Sequence, residues 1–324
     1  MPAFFPLTPG QRGDAIRDLQ RRLGAAGFHA AGEPGTYCDA TVAAVRRFQE
    51  ARGLRPDGVC DEHTWTALVE ANWSLGDRLL HLTAPNLRGD DVAELQEVLA
   101  RLGFDCGRVD GILGPRTSRA LADFQANCGL VPDGVCGPVT TQALLRVSSQ
   151  TGDGPGVAAV RERERLLHDV QSLAMCRIVI GQFGGLSGLV RTLARLLRLH
   201  GAVVMPLDEP DAVAQALAAN QFGATVYLGI EATTEAAAVA HFYKVPSFES
   251  VGGRLLAEEL VGELTPLGLA APPRTEGMRL PVLRETRMPA VLLTIGPVRA
   301  VTDATPDLAE AVVRSLELWI SRAT

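Results

Sequence analysis

Hydrophobic positions in the first half of the chain fall at helical spacing, and the pattern occurs twice. Ile16, Leu19 and Leu23 lie on one face after Gly13-Asp14, and Val92, Leu95 and Leu99 do the same after Gly89-Asp90. Gly27 ends the first of these helices. Thr41 is expected to cap a second helix, with Val42, Val45 and Phe48 on one side and Gly53 at its end. Pro56-Asp57-Gly58 then reads as a turn, and Thr64 as the opening of a short third helix with Trp65 and Leu68. The second copy repeats this with Asp110-Gly111, Thr117, Leu121, Phe124 and Leu144. Cys60 and Cys136, each closing a Pro-Asp-Gly-Val-Cys run, stand 76 residues apart. The same offset pairs Leu19-Gln20 with Leu95-Gln96 and Phe48-Gln49 with Phe124-Gln125, with no gap between Gly13 and Leu144. A fixed period reports a repeated structural unit. Two small all-α repeats are expected, over 1–76 and 77–147.

A polar, glycine-rich stretch follows, and 148–173 is expected to be a linker with a bridging helix at 161–173, its Arg-Glu alternation a solvated face. Beyond it the pattern changes. Strands are predicted at 177–180, 202–205, 225–228, 240–243 and 290–295. Helices are predicted at 189–199, 212–219, 253–264 and 308–320. Alternation of this kind argues an α/β domain over 174–324 with a largely parallel sheet.

Composition narrows the function classes. The 324 residues carry a net charge of -6, which offers no bulk attraction for nucleic acid or anionic membrane. The first residues show no basic segment followed by an apolar run, and no apolar stretch of ~20 residues occurs anywhere. A cytoplasmic location without a transmembrane segment is expected. The six cysteines form no CxxC pair, so they are expected to be reduced thiols, not zinc or disulfide ligands.

The repeated Leu-Gln, Gly-Phe, Phe-Gln and Gly-Leu-x-x-Asp-Gly motifs resemble the peptidoglycan-binding module of bacterial wall hydrolases. The second repeat matches fully, including Asp110-Gly111-Ile112-Leu113-Gly114-Pro115-Arg116-Thr117. The first departs where Glu33-Pro34-Gly35-Thr36-Tyr37-Cys38 replaces that loop. The resemblance makes Asp57, Gly58, Asp133 and Gly134 candidate ligand-binding residues. Asp-Gly also builds a turn on its own account, and Phe48 and Phe124 read as core.

The second half resembles the zinc N-acetylmuramoyl-L-alanine amidases. Pro289-Ala290-Val291-Leu292-Leu293-Thr294-Ile295-Gly296 matches that family's last strand, with Thr294 where a catalytic Glu is usual. The resemblance places the first zinc-binding His at Phe183, a Glu ligand near Gly188 and a second His at Glu231. Catalytic zinc needs about three protein ligands and an open position for water. Phe183 and Gly188 supply no ligating side chain, and a threonine hydroxyl does not accept a proton from water near neutral pH. The resemblance thus implies an amidase fold with degenerate metal positions, no zinc and no catalytic residue.

The same residues exclude or leave open other chemistries. A dinucleotide loop at Gly181 to Gly188 fails because Phe183 stands where the second glycine of G-x-G-x-x-G belongs. His241 with Glu231 or Glu249 could compose a metal site, although a lone strand histidine is more often structural. No GxSxG elbow occurs, and Cys176 has no histidine near it in sequence.

Paired modules ahead of an amidase-like domain resemble the actinobacterial CwlM group. That resemblance implies a cytoplasmic, non-catalytic regulator of peptidoglycan precursor synthesis or export. Its expected partners are proteins of that pathway and a muropeptide or lipid-linked precursor, with no nucleic acid. The alternatives are a wall amidase and a plain peptidoglycan-binding scaffold.

Overall fold

A computed structural model describes residues 5–148, 172–245 and 248–323. The chain divides into two compact units, Met1–Val160 and Arg161–Thr324. The bridging helix expected at 161–173 lies outside the described residues except at its end, where Leu173–Met175 forms a single 3₁₀ turn.

Each repeat is three helices around its own core. The first holds α1 (Asp14–Ala25), α2 (Asp39–Ala51) and α3 (Glu62–Glu70); the second holds α4 (Asp90–Arg101), α5 (Pro115–Asn127) and α6 (Pro138–Ser148). Ile16, Leu19, Leu23, Phe48 and Leu68 are buried in the first core, and Val92, Leu95, Leu99, Phe124 and Leu144 in the second. In each, one phenylalanine meets another edge to face, Phe28 on Phe48 at 5.5 Å and Phe104 on Phe124 at 5.7 Å. A short bridge brings the lead-in segment to the loop before the third helix, Leu7 to Cys60 and Leu80 to Cys136. The 76-residue offset therefore breaks before Gly13, because the second repeat has three more residues between this bridge and its first helix.

The expected helix openings need correction. Thr41 and Thr64 do not cap their helices; each sits one turn inside. The caps are Cys38, through its extended backbone, and Asp61, whose carboxylate accepts the Thr64 N–H at 2.7 Å. Both threonine hydroxyls are taken up by glutamines, half-buried Gln20 and buried Gln49, described below.

The second unit is a seven-stranded sheet sandwiched by helices. In chain order it runs β1 (Arg177–Phe183), α7 (Ser187–Leu199), β2 (Val203–Leu207), α8 (Ala212–Phe222), β3 (Val226–Ala232), β4 (Ala237–Val245) and β5 (Phe248–Glu249). Then come α9 (Val251–Leu264), β6 (Arg274–Met278), α10 (Pro281–Glu285), β7 (Ala290–Gly296), α11 (Val298–Asp303) and α12 (Thr305–Ala323). The strand order is β2-β1-β3-β7-β4-β5, with β6 beside β4. The neighbours β2, β1, β3 and β7 are parallel; β4 runs antiparallel to β7 and β5, so the sheet is mixed.

Alternation along the strands sends Ile178, Ile180, Leu228, Ile230, Val291 and Leu293 into one core with α7, α9 and α12. There Trp319 is fully buried and its indole N–H donates to the Gly252 carbonyl at 3.0 Å. The opposite face, with Val179, Tyr227 and Leu292, packs against α8 and α10. No helix among the described residues is long and apolar enough to cross a membrane.

Candidate functional site

From β1 the chain winds outward to β2, then crosses back over to β3 on the other side of β1. Open α/β sheets bind ligands at such a switch point, beyond the carboxyl ends of the strands. The sequence-selected residues of this unit lie there. The register sets Phe183 of β1 beside Glu231 of β3, Glu231 beside Thr294 of β7, and Thr294 beside Val239 of β4. Gly188 is the second residue of α7, the helix that follows β1. Three of the four predicted positions thus share one row across the sheet, and the fourth stands in the first turn of the helix that follows β1.

Polar contacts fix what this row can do. Thr294 Oγ1 donates to Glu231 Oε2 at 2.7 Å. Gly184 and Gly185, with φ of +97° and +80°, turn the chain between β1 and α7, and a side chain at Gly184 would press on Ala232 at the end of β3. Beneath the turn, Gln182 donates from Nε2 to Ser187 Oγ at 2.9 Å. On the α8 face, Tyr227 donates its hydroxyl proton to Gln215 Oε1 at 2.8 Å, and Gln215 Nε2 donates to the Gln182 carbonyl at 3.1 Å. That contact fills the space over Gly181, where any side chain would overlap Gln215 and Tyr227.

The row does not suit zinc. Phe183 offers no ligating atom, Gly188 has no side chain, and Glu231 already accepts the Thr294 proton. Among the described residues no three His, Cys, Asp or Glu side chains come together as a metal cluster. The His241 alternatives are not assembled either. β7 lies between His241 and Glu231, with His241 opposite Leu292. Glu249 pairs with Lys244 and Arg254 at 2.9 and 2.7 Å.

In the repeats the structure reveals a device that the sequence reading missed. Gln20, Gln49, Gln96 and Gln125 each clasp a loop. Each Oε1 accepts a glycine N–H, from Gly35, Gly58, Gly111 and Gly134, at 2.8 to 2.9 Å. Each Nε2 donates to a threonine hydroxyl, of Thr41, Thr64, Thr117 and Thr140, at 3.0 to 3.1 Å. The signal was present in the repeated Leu-Gln and Phe-Gln pairs.

Asp57 and Asp133 belong to two of these clasps: Oδ1 of each accepts from glutamine Nε2, at 3.0 and 2.8 Å, and from the N–H two residues on. The Val135 N–H and then Gln125 hold the Asp133 carboxyl below its ordinary range. Gly58 and Gly134 take φ of +77° and +70°. These four candidate ligand residues therefore build turns. In the first repeat Pro34 replaces the aspartate, and Gln20 Nε2 turns to the Glu33 carbonyl at 3.2 Å.

All six cysteines are free thiols. Burial pushes Cys60 and Cys106 up to about 12 and Cys176 up to about 11, and raises Cys136. The Thr41 N–H and hydroxyl lower Cys38, and Cys128 is exposed. Iodoacetamide at pH 8 is expected to label Cys38 and Cys128 in the native chain and to spare the other four until denaturant is added. Peptide mass spectrometry reads this out; native labelling of Cys60 as fast as Cys128 would contradict it.

Comparison with known proteins agrees with both halves. The family model described as a putative peptidoglycan binding domain matches residues 12–68 and 88–144. The N-acetylmuramoyl-L-alanine amidase CwlM of Mycobacterium tuberculosis is 34% identical over 331 residues, covering 90% of this chain and 81% of that protein. The chain belongs to the CwlM family. A probable N-acetylmuramoyl-L-alanine amidase of Bacillus licheniformis is 34% identical over 156 residues, covering 43% of this chain and 44% of that relative. Among solved structures, the catalytic domain of the amidase CwlV from Bacillus (Paenibacillus) polymyxa is 16% identical with a TM-score of 0.37, covering 45% of this chain and 98% of that one.

Proposed function

We propose that this CwlM-family chain is a non-catalytic regulator of peptidoglycan precursor synthesis or export. It acts in the cytoplasm, without zinc, and binds proteins of that pathway through its repeats and its amidase-like domain. A muropeptide or lipid-linked precursor is the small ligand proposed with them. The observation that carries this reading is the row of Phe183, Glu231 and Thr294, with Gly188 in the first turn of the helix after β1. Where the zinc amidases would place ligands and a base, it offers one carboxylate, and that carboxylate is bonded to a hydroxyl. Hydrolysis by metal-activated water would need the ligands and the base that these residues do not supply.

The names of the relatives favour a second reading, an active N-acetylmuramoyl-L-alanine amidase. One pair of assays separates the two. The purified full chain is incubated with sacculi and micromolar zinc, and release of peptide from glycan is followed by mass spectrometry. In parallel, the gene is depleted in its host and precursor pools are measured. The regulator predicts no release above a boiled control and altered pools. Zinc-dependent release would establish the amidase, and unchanged pools with unchanged wall growth would end the regulatory reading.

A further inference from the structure

The two repeats meet through charges that the repeat pattern itself does not contain. Arg52 closes α2 and Asp90 opens α4, and Arg52 Nη1 reaches Asp90 Oδ2 at 2.6 Å. A cation suits the C-terminal end of a helix and an anion the N-terminal end, so each charge also favours its own helix. Beside this pair, Asp91 is fully buried. Arg78 donates to both of its carboxylate oxygens, from Nε at 2.6 Å and from Nη2 at 3.0 Å, and Nη2 also donates to the Arg88 carbonyl at 2.6 Å. The Arg78 guanidinium lies over the Trp73 ring, 4.5 Å from its centroid. The 76-residue period puts Cys128 where Arg52 would recur and Ala15 where Asp91 would. These charges thus belong to the ends that face each other, not to the module.

The connection between the repeats is held from both sides. The N–H groups of Ala71, Asn72 and Trp73 donate back to the Ala67, Val69 and Glu70 carbonyls of α3, at 3.0 to 3.4 Å. Ser74 and Asp77 then bond to each other, Ser74 N–H to Asp77 Oδ2 at 2.8 Å and Asp77 N–H to the Ser74 carbonyl at 3.0 Å. Leu75 packs on the second core, and its N–H donates to Glu94 Oε2 on α4 at 3.3 Å. Arg78 completes the attachment to α4. A flexible chain of the length of 71–78 would let its ends spread over about 15 Å. We infer that 71–78 is instead a locked joint, and that the two repeats form one rigid two-module body. A partner that touches both repeats meets them already aligned, and its binding does not have to order the joint. This holds whether or not the second unit is catalytic.

The native thiols supply the test. Cys38 lies in the first repeat and Cys128 in the second, and they are the pair expected to react in the folded chain. The full-length chain is spin-labelled at both, and the distribution of distances between the labels is measured by pulsed electron resonance. The wild type is expected to give one peak no wider than the motion of the labels themselves. Two variants loosen the joint. Arg52→Gln removes the direct pair. Arg78→Met with Asp91→Leu removes the second pair without leaving a buried carboxylate alone. The three substitutions together are expected to broaden the distribution at least about two-fold, toward the roughly 15 Å spread of a free linker. Arg52→Lys is expected to stay near the wild type. Circular dichroism checks that helix content is retained; if the triple variant loses it, Arg52→Gln alone, on a part-exposed side chain, is the deciding comparison and is expected to broaden the peak. A broad wild-type distribution would overturn the locked joint. So would a peak that stays as narrow as wild type in a folded variant lacking these pairs.

Discussion

Gln125→Ala is expected to unfold the second repeat under conditions where the wild type is intact. Gln125 is buried, with four partners: Oε1 accepts the Gly134 N–H at 2.9 Å, and Nε2 donates to Asp133 Oδ1 at 2.8 Å, the Val135 carbonyl at 3.0 Å and Thr140 Oγ1 at 3.1 Å. Asp133 is exposed and Val135 half-buried, so both can turn to water. Gly134 is buried and cannot, and the buried Thr140 hydroxyl keeps only its long bond to the Val135 carbonyl at 3.4 Å. Each buried group left without its partner costs about 1–3 kcal/mol, and the lost packing adds to that. A total of about 3–5 kcal/mol takes a large share of the stability available to a module of this size, since domains hold only about 0.05–0.15 kcal/mol per residue. Gln125→Glu tests the chemistry more sharply. It keeps the shape, but an ionised carboxylate cannot donate to the Val135 carbonyl and would face the Asp133 carboxylate. Both variants are expected to shift denaturant midpoints, followed by circular dichroism, far more than Gln142→Ala on α6. A Gln125→Glu midpoint equal to wild type would refute the clasp.

The clasp also marks where sequence reading stopped. The 76-residue period and the apolar faces of α1, α2, α4 and α5 were legible because helical spacing is local. Thr41 and Thr64 were misread as helix openers because a threonine ahead of an apolar run is the usual cap signal. Their true role depends on Gln20 and Gln49, 21 and 15 residues away, and only tertiary structure brings them together.

In the second unit the strand cores at 177–180 and 225–228 stood out as apolar runs. Their continuations did not, because Gly181 and Gly229 interrupt the pattern. Both lack a side chain for packing reasons: Gly181 lies under Gln215 and Tyr227, and a Cβ at Gly229 would meet Leu292 at 2.8 Å. β6, read Arg-Thr-Glu-Gly-Met, is mostly exposed and carries no alternation of apolar residues, so it was missed. The positions Phe183, Gly188, Glu231 and Thr294 came from resemblance alone. That Glu231 and Thr294 bond to each other needed the register of β3 on β7.

Gly296→Ala is expected to be the most damaging small substitution in the second unit. Gly296 ends β7 two residues beyond Thr294. A Cβ there would fall inside contact distance of two backbone carbonyls, those of Thr233 and Glu235. Backbone cannot swing aside as a flexible side chain can. The segment is further pinned by the Thr233 N–H, which donates to the Ile295 carbonyl at 3.1 Å, and by Ala237 paired with Gly296. Relief requires moving the whole connection between β3 and β4, at a cost of about 3 kcal/mol. For a unit of this size that is a fall of roughly 6–12 °C in melting temperature. Gly262→Ala supplies the opposite sign. Gly262 is exposed within α9, and a Cβ there meets nothing within 4 Å. Removing a glycine from a helix interior is expected to stabilise by about 0.5–1 kcal/mol. The same chemical change, one methyl group, should thus lower the calorimetric transition at one site and raise it at the other. Equal shifts at both would mean that the space around Gly296 gives way. The Gly in the family's last-strand motif would then need an explanation other than the closeness of those two carbonyls.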